Sequence, residues 1–206
     1  MTNHLNKIIA LKNKKTVSLS HLSTVLSLKS ISGGSPSVPV PYQLIENGNF
    51  ESTDKWSGSN CAFSVNSNNI GVATVSTVSS SIRVTHEKFE MTKDHKYYYQ
   101  IFVYAPKQIK FKISRDSTIT ITTQEISTIN AWVLVEGIYT PTTTTTSTLR
   151  YYFDLDSVLV KTQKVYFSWA QLIDLTATFG AGNEPATVEE VKTLYPNNYY
   201  EYKPVE

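Results

Sequence analysis

Leu44-Ile45-Glu46-Asn47-Gly48-Asn49-Phe50-Glu51, followed five residues later by Trp56, reads as a short strand broken by an Asn-Gly turn. Asn-Gly is a strong local turn signal because both residues tolerate positive φ. The composition changes at this point. Residues 1–45 hold five lysines (Lys7, Lys12, Lys14, Lys15, Lys29) and no acid, Glu46 being the first. Of the 19 basic residues, 14 therefore remain to face all 17 acidic ones. A basic arm precedes a mildly acidic body, the pattern of arms that dock on acidic partners. Nucleic acid is a poor candidate partner, since five lysines without an arginine make a thin electrostatic footprint.

Beyond residue 42 the apolar period is two. Ile109, Phe111 and Ile113 alternate with Gln108, Lys110 and Lys112, and Thr118-Ile119-Thr120-Ile121-Thr122 repeats the pattern. Each predicts a half-buried strand with one wet face. Residues 97–104 are apolar on both faces, as a central strand covered on both sides would be. Residues 132–135, 150–155 and 165–174 add further strands, with the threonine run 142–146 expected as a strand-edge loop. Thr, Ser, Val, Ile and Tyr are abundant and 12% of residues are aromatic, which favours an all-β body. Eight or nine short strands predict a β-sandwich or jelly roll.

Upstream, residues 1–31 carry apolar positions that nearly fit a helix twice, interrupted by Lys12-Asn13-Lys14-Lys15. So narrow a stripe does not stabilise an isolated helix in water and needs a partner. Gly33 to Pro41, with prolines at 36, 39 and 41, reads as an extended spacer. At the other end Phe179-Gly180-Ala181-Gly182-Asn183-Glu184-Pro185 is a glycine-punctuated turn. It is not a nucleotide loop, because a third glycine is missing and Glu and Pro stand where a phosphate-binding helix would begin. A short helix is expected over 188–194, with Thr187 as N-cap and Glu190 in the capping-box position. The expected organisation is an arm over 1–32, a linker over 33–41, a jelly roll over 42–180, and a C-terminal loop and helix over 181–206.

A single cysteine, Cys61, excludes an internal disulfide framework and a cysteine-based zinc site. The opening residues lack the apolar core of a signal peptide, and no apolar run approaches 18 residues, so synthesis in a cytoplasm, where the protein need not stay, and no transmembrane helix are expected. Catalysis finds little support. There is no Gly-x-Ser-x-Gly, and two of the four histidines lie in the arm. Asp154 and Asp156 would share one strand face about 7 Å apart, which suits a retaining glycosidase pair or an exposed acidic edge, and the edge is the expectation.

The stretch from Leu44 to Glu51 with Trp56 resembles the opening of carbohydrate-binding-module and galactose-binding-like jelly rolls, whose first strand reads roughly L-I-x-N-G-x-F-E. Lys96-Tyr97, the run opened by Trp132, and Ala170-Gln171-Leu172 continue the likeness. Residues 170–190 are similar to a segment recurrent in tail- and fibre-associated structural proteins of phages infecting Gram-positive bacteria. The resemblance covers 43–196.

It implies a non-enzymatic virion component of the tail, collar or head-fibre kind, anchored on other virion proteins through residues 1–41. Fibre parts are commonly symmetric, so a homo-oligomer is expected, with a trimer as first choice. The jelly roll either binds host cell-wall carbohydrate or serves as a scaffold; a bacterial carbohydrate-binding module is the reading outside the virion. Family sugar sites use aromatic rings, which makes Trp56, Tyr98, Tyr104, Tyr139, Tyr151, Tyr152 and Trp169 the candidates. Trp56 and Trp132 fall where the family buries a tryptophan in the core. No cofactor is expected. The family often holds a structural calcium with Glu51 and an aspartate of the last strand, but Ser168-Trp169-Ala170 occupy that aspartate's place. Glu46, Glu51 and Asp174 are the remaining candidate oxygen ligands.

Overall fold

The Asn47–Gly48 turn is built differently from its sequence expectation. In the computed structural model, which describes residues 37–197 and 200, only Asn47 takes the left-handed conformation, with φ 51°. Its side chain donates to the carbonyls of Ser52 and Asp54, both at 2.8 Å, and its own carbonyl accepts from Trp56 Nε1 at 3.0 Å. Gly48 is needed for proximity. A Cβ there would lie 2.0 Å from the carbonyl oxygen of Ala170, whose amide donates to the Gly48 carbonyl at 2.8 Å. The turn therefore clamps the start of the body to its last strand.

The strands are β1 (Tyr42–Gln43), β2 (Trp56–Ser59), β3 (Cys61–Val65), β4 (Gly71–Val75), β5 (Arg83–Met91), β6 (Tyr97–Tyr104), β7 (Ile109–Arg115), β8 (Ile119–Ile126), β9 (Trp132–Tyr139), β10 (Thr145–Tyr152) and β11 (Lys164–Asp174). Two helices follow, α1 (Leu175–Phe179) and α2 (Val188–Leu194). One sheet runs β3-β4-β11-β6-β9, with β1 also on β11; the other runs β2-β5-β10-β7-β8. All pairings are antiparallel, so the body is an all-β two-sheet sandwich.

Period-two alternation decides which residues fill the space between the sheets. Ile109, Phe111 and Ile113 point inward and are buried, while Lys110 is exposed and Lys112 half-buried. Tyr151 stacks on Trp56 at 5.8 Å, on Phe111 at 6.0 Å and on Phe167 at 6.5 Å, forming an aromatic spine between the sheets. Burying each such ring contributes about 1.5–3 kcal/mol. Arg115 is among the buried polar residues: it is 1% exposed and donates to the carbonyl and hydroxyl of Thr143 at 3.0 and 2.9 Å.

Several expectations are corrected. Eleven strands are present among the described residues, where eight or nine were expected. The strand near Leu44 is only Tyr42–Gln43, and Thr145 and Thr146 belong to β10 rather than to a loop. Asp154 is not on a strand edge. It is fully buried at φ 61° and its carboxylate accepts from the amides of Val158 and Leu159, so it holds a turn, while Asp156 is exposed beside Lys110. The expected arm over 1–32 and the linker as far as residue 36 lie outside the described residues. Among those described, no helix is long and apolar enough to cross a membrane.

Candidate functional site

Register places a set of rings on the outer face of the six-stranded sheet. Tyr97, Tyr99, Ile101 and Val103 of β6 point into the core, so Tyr98, Gln100, Phe102 and Tyr104 point out. Opposite Phe102 and Tyr104 stand Leu134 and Trp132 on β9, and Ser168 and Tyr166 on β11. Between Ser168 and Gln171 the register shifts by a bulge, and Trp169 takes φ 48° there. A bulge redirects a side chain; here it sends the Trp169 indole to the surface while Ala170 stays buried.

Trp132 is 43% exposed and Trp169 41%. Each is backed by a half-buried ring: Tyr104 lies 5.7 Å from Trp132, and Phe102 packs edge-on to Trp169 at 5.6 Å. Tyr166 meets Tyr104 edge-to-face at 5.5 Å. Edge-to-face packing, a favoured arrangement of such pairs, holds Trp169 in one orientation, while Trp132 leans on Tyr104 in a tilted contact with an interplanar angle of 60°. The far end of the face is roofed. Tyr98 packs with Ile173, Leu175, Val191 and Tyr195, and its hydroxyl lies 2.8 Å from Glu136 Oε2, whose other oxygen takes Lys192 Nζ at 2.9 Å.

The sequence candidates therefore separate. Tyr104 and Trp169 come together on this face. Tyr98 shares it but is covered by α2 and Tyr195, and Tyr151 and Trp56 are core. Tyr139 ends β9 opposite Tyr97 and packs against the core. Tyr152 lies on the other sheet. Sequence reasoning missed Trp132, Tyr166 and Phe102, and assigned Trp132 to the core. Parity was the available signal: Trp132 is in phase with Leu134 and Glu136, and a glutamate is rarely inward.

The three candidate calcium ligands are not gathered. Glu46 pairs with Lys55 at 2.9 Å, Glu51 accepts from Asn49 at 2.7 Å, and Asp174 caps α1 through the Ala177 amide while accepting from His95 at 2.8 Å. Glu46 and Asp174 line one shallow cleft of about 490 Å3 with Tyr42, Lys55 and His95, and Glu51 does not. Among the described residues no group of three His, Cys, Asp or Glu could hold a metal ion. The donors present do not fit the group.

His86 is 2% exposed, its ring nitrogens 3.1 and 3.2 Å from the carbonyls of Glu87 and Glu46. Burial lowers its pKa, outweighing the two carbonyls, which favour the charged form. The Cys61 thiol is pushed up to about 11, again chiefly by burial. Neither group is presented as a nucleophile or base.

No curated protein sequence matches the chain. Three solved structures of similar fold are a family 4 carbohydrate-binding module, the CBM22-1 xylan-binding domain of Paenibacillus barcinonensis Xyn10C, and the N-terminal cellulose-binding domain of Cellulomonas fimi β-1,4-glucanase C. The first is 14% identical with a TM-score of 0.48, covering 63% of this chain and 99% of its own. The second is 13% identical at 0.47, covering 67% and 98%. The third is 8% identical at 0.47, covering 65% and 95%. The pattern of the carbohydrate binding domain family matches residues 42–159, more than half of the sequence. The chain belongs to the carbohydrate binding domain family.

Proposed function

We propose that this protein recognises a glycan without acting on it, and that the outer face of the six-stranded sheet is where the sugar lies. The observation that carries this reading is the pair of buttressed indoles, Trp132 and Trp169, exposed by 43% and 41%. An exposed indole held in one orientation loses little conformational entropy on binding and offers its π-face to the C–H groups of a pyranose. Family membership is the second support. The finer reading is a bacteriophage virion component displayed as a homo-oligomer, a trimer by first choice. It rests on the resemblance of residues 170–190 and on the acid-free, lysine-bearing segment before Glu46.

Host cell walls with and without their polysaccharide provide the test. The full chain is expected to bind saturably only while the polysaccharide is present. Trp132→Ser and Trp169→Asn, the latter chosen because asparagine tolerates the positive φ, should each weaken binding on the order of tenfold. A folded protein that ignores both walls would reverse the reading in favour of a scaffold.

A further inference from the structure

Arg115 ends β7 on its inward side, in phase with Ile109, Phe111 and Ile113. A guanidinium cannot shed its proton inside a protein, so burial does not neutralise it as it can a lysine. At 1% exposure it is a cation held between the two sheets. Buried charges are ordinarily paired, because taking an uncompensated one out of water is expensive. Among the described residues Arg115 forms no ion pair. Its two terminal nitrogens donate to the carbonyl and hydroxyl of Thr143, both uncharged, and its Nε has no partner. Asp116, next in the chain, is engaged elsewhere: it takes φ 58° and its carboxylate accepts from the amide of Thr148 at 3.1 Å.

A second donor without an acceptor stands nearby. Ser147 on β10 is 1% exposed, shares the inward phase of Leu149 and Tyr151, and has an unpartnered hydroxyl. Register sets Leu149 directly opposite Arg115. Ser147 is then the diagonal neighbour of Arg115, about 7–8 Å away and within reach of a long side chain. An orphaned N–H and an orphaned O–H thus share one inward patch with a fixed positive charge. Water satisfies such donors but brings no counter-charge; an anion brings both. The cover over this corner is thin. Thr142, Thr143 and Thr144, which lead from β9 to β10, are all exposed. They are pinned at the margins, where the Lys93 amide donates to the Thr144 hydroxyl and the Asp94 amide to the Pro141 carbonyl.

We infer that Arg115 and Ser147 form a buried binding site for a small monovalent anion of chloride size, reached through residues 142–144. The guanidinium supplies the charge and its Nε–H, Ser147 supplies the hydroxyl, and the bound anion offsets the burial of the cation. A charged polymer is excluded, because the guanidinium is all but closed to solvent. The site lies between the sheets rather than on either outer face, so it does not depend on where a sugar binds. Its consequence is a folded state whose stability follows the halide concentration around it.

Urea unfolding of the full chain at a fixed ionic strength of about 0.2 M, with gluconate exchanged stepwise for chloride, tests this while holding screening constant. The urea midpoint should rise with chloride and level off, as for an anion bound by the folded chain alone. Bromide should replace chloride. Arg115→Met should lose the dependence. Ser147→Ala should raise the half-saturating chloride concentration roughly tenfold, the effect of one charge-assisted hydrogen bond. Broadening of the chloride NMR signal by the native protein, absent with Arg115→Met, reports the same site directly. Should Arg115→Met fail to fold, Ser147→Ala and the chloride signal of the native protein carry the test. A midpoint indifferent to the exchange of gluconate for chloride would overturn the inference and leave water as the partner of both donors. An equal chloride response in the native and Ser147→Ala proteins would overturn it as a surface salt effect.

Discussion

At Gly48 the missing side chain is what the fold requires. A Cβ 2.0 Å from the Ala170 oxygen must displace the bulged segment of β11, so Gly48→Ala is expected to cost about 2–4 kcal/mol, read as a lowered urea midpoint. The same bulge carries Trp169, and the variant should weaken glycan binding as well as stability. His86 gives the pH dependence. Above the unfolded imidazole pKa of 6.5 both states are neutral and nothing is lost. As pH falls below it the unfolded chain takes up a proton that the buried ring resists, so stability should decline from pH 6.5 down to the depressed folded value. Denaturant midpoints between pH 8 and 5 check this, and the slope should shrink in His86→Gln. Legibility at this scale was uneven. Asn47 and Gly48 announced a turn, but the reason for the glycine lies 122 positions away at Ala170, beyond any local pattern. Asp154 looked like an exposed acid because nothing in a sequence tells a carboxylate that holds two amides from one that faces water.

At the scale of elements, alternation was a good guide where one face is wet, and the two-sided apolar run 97–104 located the covered strand β6. Strands β7 and β8 were visible from their alternation, and the capping box of α2 was visible from Thr187 and Glu190, whose reciprocal bonds are both present. The bulge of β11 was not, since nothing about Ser168-Trp169-Ala170 marks an extra residue. Phe102, Tyr104, Trp132 and Tyr166 were legible as residues but not as a surface, because they meet only once β9, β6 and β11 are in register. Helix α2 is seven residues long and too short to persist without its cap and its contacts with Tyr98 and Ile173. Thr187→Ala should therefore cost about 1 kcal/mol. Its separate signature is faster amide exchange at Tyr98 and Ile173, whose roof it loosens. The preceding turn is stapled independently: Glu184 accepts from the Thr176 hydroxyl at 2.7 Å and from the Gly182 amide at 2.9 Å.

For the whole molecule, the sandwich presents one aromatic outer face with Trp132 and Trp169 exposed, roofed at its far end by α2 and Tyr195. A face with exposed tryptophans is equally suited to a sugar or to another protein chain, and composition alone does not separate these. The proposed homo-oligomer makes the choice testable. If the indoles bind glycan they must remain free in the assembled protein, so the subunits must associate through other surfaces. The full chain and its Trp132→Ser/Trp169→Asn variant should then show the same mass by light scattering across a range of concentrations, while only the native protein retains cell-wall polysaccharide. A variant that falls to a smaller species would show that the rings are subunit contacts.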